Sequence, residues 1–202
     1  MPVPNNILLK DHKIAVFCVP KAANTSIKIA ILEALGKSPE RPHSKGRFKY
    51  AGKRKILELN DWFSFTVVRN PYDRVISLWS DKCRDIQHKI FKDRDIGPFE
   101  KFEDFVKALC EIDDFDIHWV SQYDLLVADG QIAPGMVCKY ERLHQDWVMI
   151  RHICKGYGLD LPALPKENTT DHEAWESYYT DETRQMIYAL YEKDFEIFGY
   201  EY

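Results

Sequence analysis

Apolar residues gather in short runs, and the first two runs lead through a polar turn into a stretch with helical spacing. The first run, KIAVFCV at residues 13–19, is almost continuously apolar and is bounded by Pro20. That is the pattern of a strand buried on both faces of a parallel sheet. Over residues 25–35, Ile27, Ile31, Leu32 and Leu35 recur at helical spacing, and Gly36 supplies a stop. The order then repeats. WFSFTVV at 62–68 predicts a strand, RNPYDR a turn with Pro71 at the first helical position, and RVISLWSDKC a helix. Between the two units, residues 37–55 (KSPERPHSKGRFKYAGKRK) lack periodicity and are rich in Pro, Gly and cations, which predicts a loop with some local structure.

Farther along, Phe102, Phe105, Val106 and Leu109 predict a helix over 100–112. The stretch YDLLVADGQIAPGMVCKYE reads as a short extended segment, a turn at Asp129-Gly130 and a strand around 136–140. Helices are expected at 143–156 and at 181–197, the latter carrying Met186, Leu190 and Phe195, with Phe198 just beyond. Strands alternating with helices predict a three-layer α/β/α fold around a central, mainly parallel sheet. At 202 residues the chain suits one such domain, spanning 1–202.

Composition narrows the ligand. With 45% hydrophobic and 30% charged residues the chain is far from a disordered profile. Its net charge of −4 gives no general attraction to nucleic acid or to an anionic membrane, so an anionic ligand must be held locally. Five cysteines, odd in number and without CxxC spacing, read as free thiols in a reducing compartment. The start, MPVPNNILLKDHK, has no apolar core or cleavage site of a signal peptide, and no run of about eighteen apolar residues occurs. A soluble, cytoplasmic protein with no membrane partner is the expectation. The NTT at 168–170 matches a glycosylation acceptor but has no consequence without a secretory route.

The two polar turns carry the candidate chemistry. PKAANTS, between the first strand and helix, puts Lys21, Thr25, Ser26 and the amides of Ala22, Ala23 and Asn24 at a helix N-terminus. Those amides lack intrahelical partners and the dipole there is positive, so the turn is a seat for a phosphate-like anion. A second seat is formed by Arg69, just past its strand, with Ser77 two turns into the following helix. Ligands of parallel sheets bind beyond the carboxyl ends of the strands, and two seats at that edge imply a ligand with two anionic groups. A nucleoside-triphosphate loop, G-x-x-x-x-G-K-[ST], is absent, as is an Asp placed at a strand end for Mg²⁺, so a nucleotide kinase is disfavoured.

These residues resemble a known family. PKAANTS is similar to the 5′-phosphosulfate loop of sulfotransferases that use 3′-phosphoadenosine 5′-phosphosulfate (PAPS), and FTVVRNPYDRVISLW to their 3′-phosphate motif. HWVSQ at 118–122, KYERL at 139–143 and YEKDFEIFGY at 191–200 extend the resemblance, in order, to the Golgi-type carbohydrate sulfotransferases and their soluble bacterial and viral relatives. The resemblance implies a P-loop-like sulfotransferase fold, PAPS as donor and a hydroxyl acceptor on a glycan, with no metal required. It implies that Lys21 contacts the 5′-phosphosulfate and the leaving oxygen, that Thr25 and Ser26 bind the 5′-phosphate, and that Arg69 and Ser77 bind the 3′-phosphate. Position 23 is Ala where the family often has Gly, which predicts a loop that avoids a positive φ there or passes it to Asn24.

A hydroxyl acceptor needs a base. His43, in the polar loop after the first helix, is the first candidate, because some heparan-type relatives place a catalytic histidine there and imidazole titrates near neutral pH. His118 and a carboxylate are the alternatives, although His118, beside Trp119, is expected to be a buried structural residue. The cationic run of Lys45, Arg47, Lys49, Lys53, Arg54 and Lys55 is either a receptor for anions or a solvated loop. A non-catalytic nucleotide-binding protein on the same fold is the competing function.

Overall fold

The computed structural model describes residues 6–83, 97–114, 116–164 and 174–202; the NTT at 168–170 lies outside them. The chain forms two compact units, one from Met1–Val68 and Asp124–Asn168, the other from Arg69–Tyr123 and Thr169–Tyr202.

The first unit is built on a five-stranded sheet. Its strands are β1 (Asn6–Leu9), β2 (Ile14–Phe17), β3 (Lys49–Ala51), β4 (Phe63–Val68) and β7 (Met136–Lys139), in the order β3-β1-β2-β4-β7. β2 and β4 are parallel, with Phe17 opposite Thr66, and β4 and β7 are parallel, with Val68 opposite Lys139. β1 is antiparallel to both its neighbours, so four of the five strands point one way and the expected mainly parallel sheet is present. Every residue of β1 and β2 is buried, as the unbroken apolar run at 14–17 requires. The Thr66 hydroxyl donates to the Phe17 carbonyl at 2.9 Å, satisfying a polar group that would otherwise cost about 1–3 kcal/mol inside the sheet.

Three helices of this unit are α1 (Asn24–Ala34), α2 (Lys53–Leu57) and α6 (Leu143–Gly156), and a separate ribbon pairs β5 (Val127–Ala128) with β6 (Gln131–Ile132). α1 ends in a turn completed by Gly36 at φ +64°, the left-handed conformation glycine adopts most readily. The predicted loop 37–55 contains β3 and the start of α2, neither of which has an apolar period of its own. Residues 123–126, expected to be extended, lie in the short helix α5 (Gln122–Leu126). There LL sits on one helical turn, a pattern too short to distinguish from a strand.

The second unit is helical. It comprises α3 (Pro71–Lys82), α4 (Phe102–Glu111), a 3₁₀ turn at Trp175–Tyr178 and α7 (Asp181–Phe198). Aromatic rings fill its core. Tyr72 stacks on Trp175 at 4.7 Å and meets Phe195 at 4.9 Å, while Phe102 meets Tyr179 edge-on at 4.9 Å. Such pairs contribute about 0.5–1.5 kcal/mol each beyond the area they bury. α3 starts as predicted, with Pro71 at its first position and the Asn70 side chain accepting from the Tyr72 amide at 2.9 Å. α7 starts in a capping box between Thr180 and Thr183 and bends at Tyr191, whose backbone leaves helical geometry at φ −119°, ψ 23°.

Candidate active site

The PKAANTS turn leaves the carboxyl end of β2 and enters α1. Lys21 has φ +69° and Ala23 φ +56°, both left-handed without being glycine. Sequence reasoning expected Ala23 to avoid this conformation, and the structure corrects it. Asn24 is already the first residue of α1, so the reversal from strand to helix falls on the residues before it. Non-glycine residues held there cost about 1–3 kcal/mol each, and such strain persists where a backbone shape is needed for a ligand. Ala22 lies between them, 1% exposed, and its amide donates to the Val19 carbonyl at 3.3 Å, which withdraws it from the anion seat the sequence predicts. Ala23, the N-cap, makes no side-chain cap hydrogen bond. The turn therefore has the form of an anion-binding concavity at a helix N-terminus. Lys21, Asn24 and Thr25 are half-buried and Ser26 is buried.

Thr25 is joined to His43. Its Oγ1 lies 2.9 Å from His43 Nε2, and His43 Nδ1 lies 3.3 Å from Nζ of Lys28. Two proton arrangements fit this chain. With Lys28 as ammonium, Nζ donates to Nδ1 and Nε2–H donates to Thr25; with Lys28 as free amine, Nδ1–H donates to Nζ and Nε2 accepts from Thr25. Lys28 is 3% exposed, and burial pushes its pKa down, opposed by the nearby Cys18. Its Nζ also lies 5.9 Å from the centre of the Tyr50 ring. Sequence reasoning missed Lys28, although a lone cation flanked by Ile27, Ile29 and Ile31 was a signal for a buried charge.

In the second unit Arg69 follows directly on β4. It is 5% exposed, and its Nε donates to Asp73 Oδ2 at 2.7 Å, one helical turn on. Its backbone is held by Gln122, whose Oε1 accepts from the Arg69 amide at 2.9 Å and whose Nε2 donates to the Arg69 carbonyl at 2.8 Å. Ser77 is buried within α3. Asp73 lies in the RNPYDR turn, four residues from Arg69, the spacing at which an acid and a base pair on one helix face.

A model of the sulfotransferase family matches residues 5–201. The chain belongs to the sulfotransferase family. Among its relatives, carbohydrate sulfotransferase 10 of Xenopus laevis is 26% identical over 243 residues, covering 98% of this chain and 68% of the relative. Carbohydrate sulfotransferase 10 of Rattus norvegicus is 27% identical over 237 residues (94% and 65%), and carbohydrate sulfotransferase 11 of the same species 25% over 232 (95% and 65%). The chain spans about two thirds of the length of these relatives.

The remaining candidates of this sulfotransferase sort by their contacts. His118 is half-buried, with its Nδ1 2.6 Å from Asp116 Oδ1, an arrangement that fixes the ring and its tautomer. Part of the cationic run has structural work within the first unit. Lys53 Nζ donates to the Asp124 carbonyl at 2.6 Å, Arg54 pairs with Asp129 at 3.1 Å, and Arg47 donates to the Ser38 carbonyl. Lys45, Lys49 and Lys55 are exposed. The thiols are buried or half-buried, and burial pushes Cys18 up to about 11 and Cys138 and Cys154 to about 12. No helix among the described residues is long and apolar enough to cross a membrane.

Proposed function

We propose that this sulfotransferase moves the sulfuryl group of PAPS to a hydroxyl of a carbohydrate, acting as one catalytic domain. The observation that carries the reading is the strained turn at Lys21 and Ala23, running into an α1 N-terminus that bears Thr25 and Ser26. It presents amides, hydroxyls and a cation to one anion, which suits a 5′-phosphosulfate. Arg69 and Ser77 take the 3′-phosphate in this reading. The glycan acceptor is suggested by the names of the relatives, carbohydrate sulfotransferases 10 and 11.

In the transfer, the acceptor oxygen forms a bond to sulfur as the bond from sulfur to the 5′-phosphate oxygen breaks. Negative charge grows on that leaving oxygen, and Lys21 neutralises it. The acceptor proton passes to Nε2 of His43, which requires the arrangement with Nδ1–H turned to an uncharged Lys28. Burial lowers the Lys28 pKa, which is the direction toward the free amine. A phosphate that accepts the Thr25 hydroxyl also withdraws Thr25 from Nε2, so donor binding frees the base. His118 is the second reading for the base, favoured by its contact with Asp116.

Transfer of labelled sulfate from PAPS to a panel of glycans tests the function, with His43→Ala and His118→Ala compared at saturating donor. Labelled product lost in His43→Ala alone supports the reading given. Loss in His118→Ala alone moves the base to the Asp116 pair. Binding of the nucleotide with no product on any glycan favours a non-catalytic nucleotide-binding protein.

A further inference from the structure

Beyond His118, neither HWVSQ at 118–122 nor YEKDFEIFGY at 191–200 takes part in the proposed transfer, yet both lead to Arg69. Gln122 closes a two-bond clasp on the Arg69 backbone, engaging its amide and its carbonyl. Gln122 is itself held by Asp194 of α7. Asp194 Oδ2 accepts from the Gln122 amide at 2.9 Å and from Gln122 Nε2 at 3.4 Å, and Oδ1 accepts from the Tyr123 amide at 2.7 Å. Gln122 and Asp194 are both 0% exposed.

The segment before Gln122 is fixed in the same way. Arg74, 2% exposed, donates to the carbonyls of Val120 at 2.9 Å, His118 at 3.4 Å and Ile117 at 3.5 Å. At the bend of α7 the Tyr191 hydroxyl donates to the Trp119 carbonyl at 2.6 Å. A carboxylate and a guanidinium buried this deeply are a poor means of stabilising a fold, because apolar residues of similar volume commonly do as well or better. What they supply is a single backbone geometry. With Asp73 on its Nε, Arg69 is held at both backbone and side chain.

We propose that Gln122 and Asp194 are positioning residues for Arg69, setting before the ligand arrives the backbone from which its guanidinium meets the 3′-phosphate of the nucleotide. The inference rests on the assignment of Arg69 to that phosphate. It gives the last helix a task at the donor site: α7 sets Asp194, Asp194 sets Gln122, and Gln122 sets Arg69. Preorganisation of this kind raises affinity by removing an ordering cost at binding.

The test compares 3′-phosphoadenosine 5′-phosphate with AMP, which lacks the 3′-phosphate, by calorimetry on the wild type, Asp194→Asn and Gln122→Met. Asp194→Asn removes charge at nearly constant shape, and Gln122→Met removes both bonds to Arg69. The expected result is a Kd for the bisphosphate raised tenfold or more, with the Kd for AMP within about twofold of the wild type. Equal losses for both ligands, or an unchanged ratio in the folded variants, overturn the proposal. A wild type that does not prefer the bisphosphate overturns the assignment of Arg69 and the proposal with it. Hydrogen exchange on the unmodified chain decides the matter even where a variant fails to fold. The Arg69 amide is expected to exchange as slowly as the amides of β4 with or without bisphosphate, and fast exchange that slows only on binding overturns a preformed clasp.

Discussion

Thr25 Oγ1 and His43 Nε2 lie 2.9 Å apart, so the hydroxyl assigned to the donor phosphate and the imidazole assigned to the acceptor proton are hydrogen-bond partners in the absence of ligand. In the proposed function, this one contact couples donor binding to proton removal. Thr25→Val removes the hydroxyl at similar volume, and is expected to lower kcat/KM about 10- to 100-fold, the range for losing a hydrogen bond to a charged group. Thr25→Ser keeps the hydroxyl and should stay within about threefold. Steady-state kinetics with varied PAPS checks both, and wild-type kinetics for Thr25→Val would remove Thr25 from the site.

In the proposed transfer, Lys21 neutralises the charge that grows on the leaving phosphate. Lys21→Ala is expected to cut kcat about 10²-fold or more, as for other groups that stabilise developing charge. Single-turnover measurements isolate that step. A variant that raises only KM would make Lys21 a ground-state contact instead.

Lys28 trades stability for chemistry. Its pKa is lowered in the folded protein, so the unfolded chain binds more protons between that lowered value and 10.5, and stability rises with pH across this window. Below that window the cost of burying the ammonium is fully present. Lys28→Met, similar in shape and uncharged, should therefore raise Tm by about 2–4 °C at pH 7, the shift that about 1 kcal/mol gives in a chain of this size. The gain should shrink as pH approaches 10.5, while turnover falls because His43 has lost its Nδ1 partner. Thermal melts across pH 6–10 and a parallel rate profile test this, and a variant less stable at every pH would contradict it.

The pattern of the chain disclosed the parts of the fold that repeat. The apolar run at 14–17, the strand at 63–68 and the helix starting at Pro71 each carry a local signal, and each was legible. β1 and β3 were not, because four and three residues bear no period and owe their conformation to pairing with each other and β2. The site was legible as residue types in turns. Its second layer was hidden: Lys28 reaches His43 across 15 positions and Asp194 reaches Gln122 across 72, distances over which spacing says nothing. The left-handed Ala23 was mispredicted because steric preference alone was weighed against a turn whose direction the sheet dictates.

The thiols offer a check on burial. With Cys18 at about 11 and Cys138 and Cys154 at about 12, none of the three is a thiolate near neutral pH. Ellman's reagent at pH 8 should leave all three unmodified in the native protein and label them after denaturation. Rapid native labelling at Cys138 or Cys154, identified by peptide mapping, would contradict the packing around β7 and α6.

The proposed function requires one nucleotide with its 5′-phosphate at Lys21, Thr25 and Ser26 and its 3′-phosphate at Arg69 and Ser77. Calorimetric titration with 3′-phosphoadenosine 5′-phosphate against AMP and ATP, with chelator present, tests it most directly, using the wild type and Arg69→Ala. Micromolar binding of the bisphosphate, weaker binding of AMP and ATP, and loss of that preference in Arg69→Ala are the predicted results. Equal affinity for AMP, or preference for ATP once Mg²⁺ is restored, would contradict the account and reopen the nucleotide kinase.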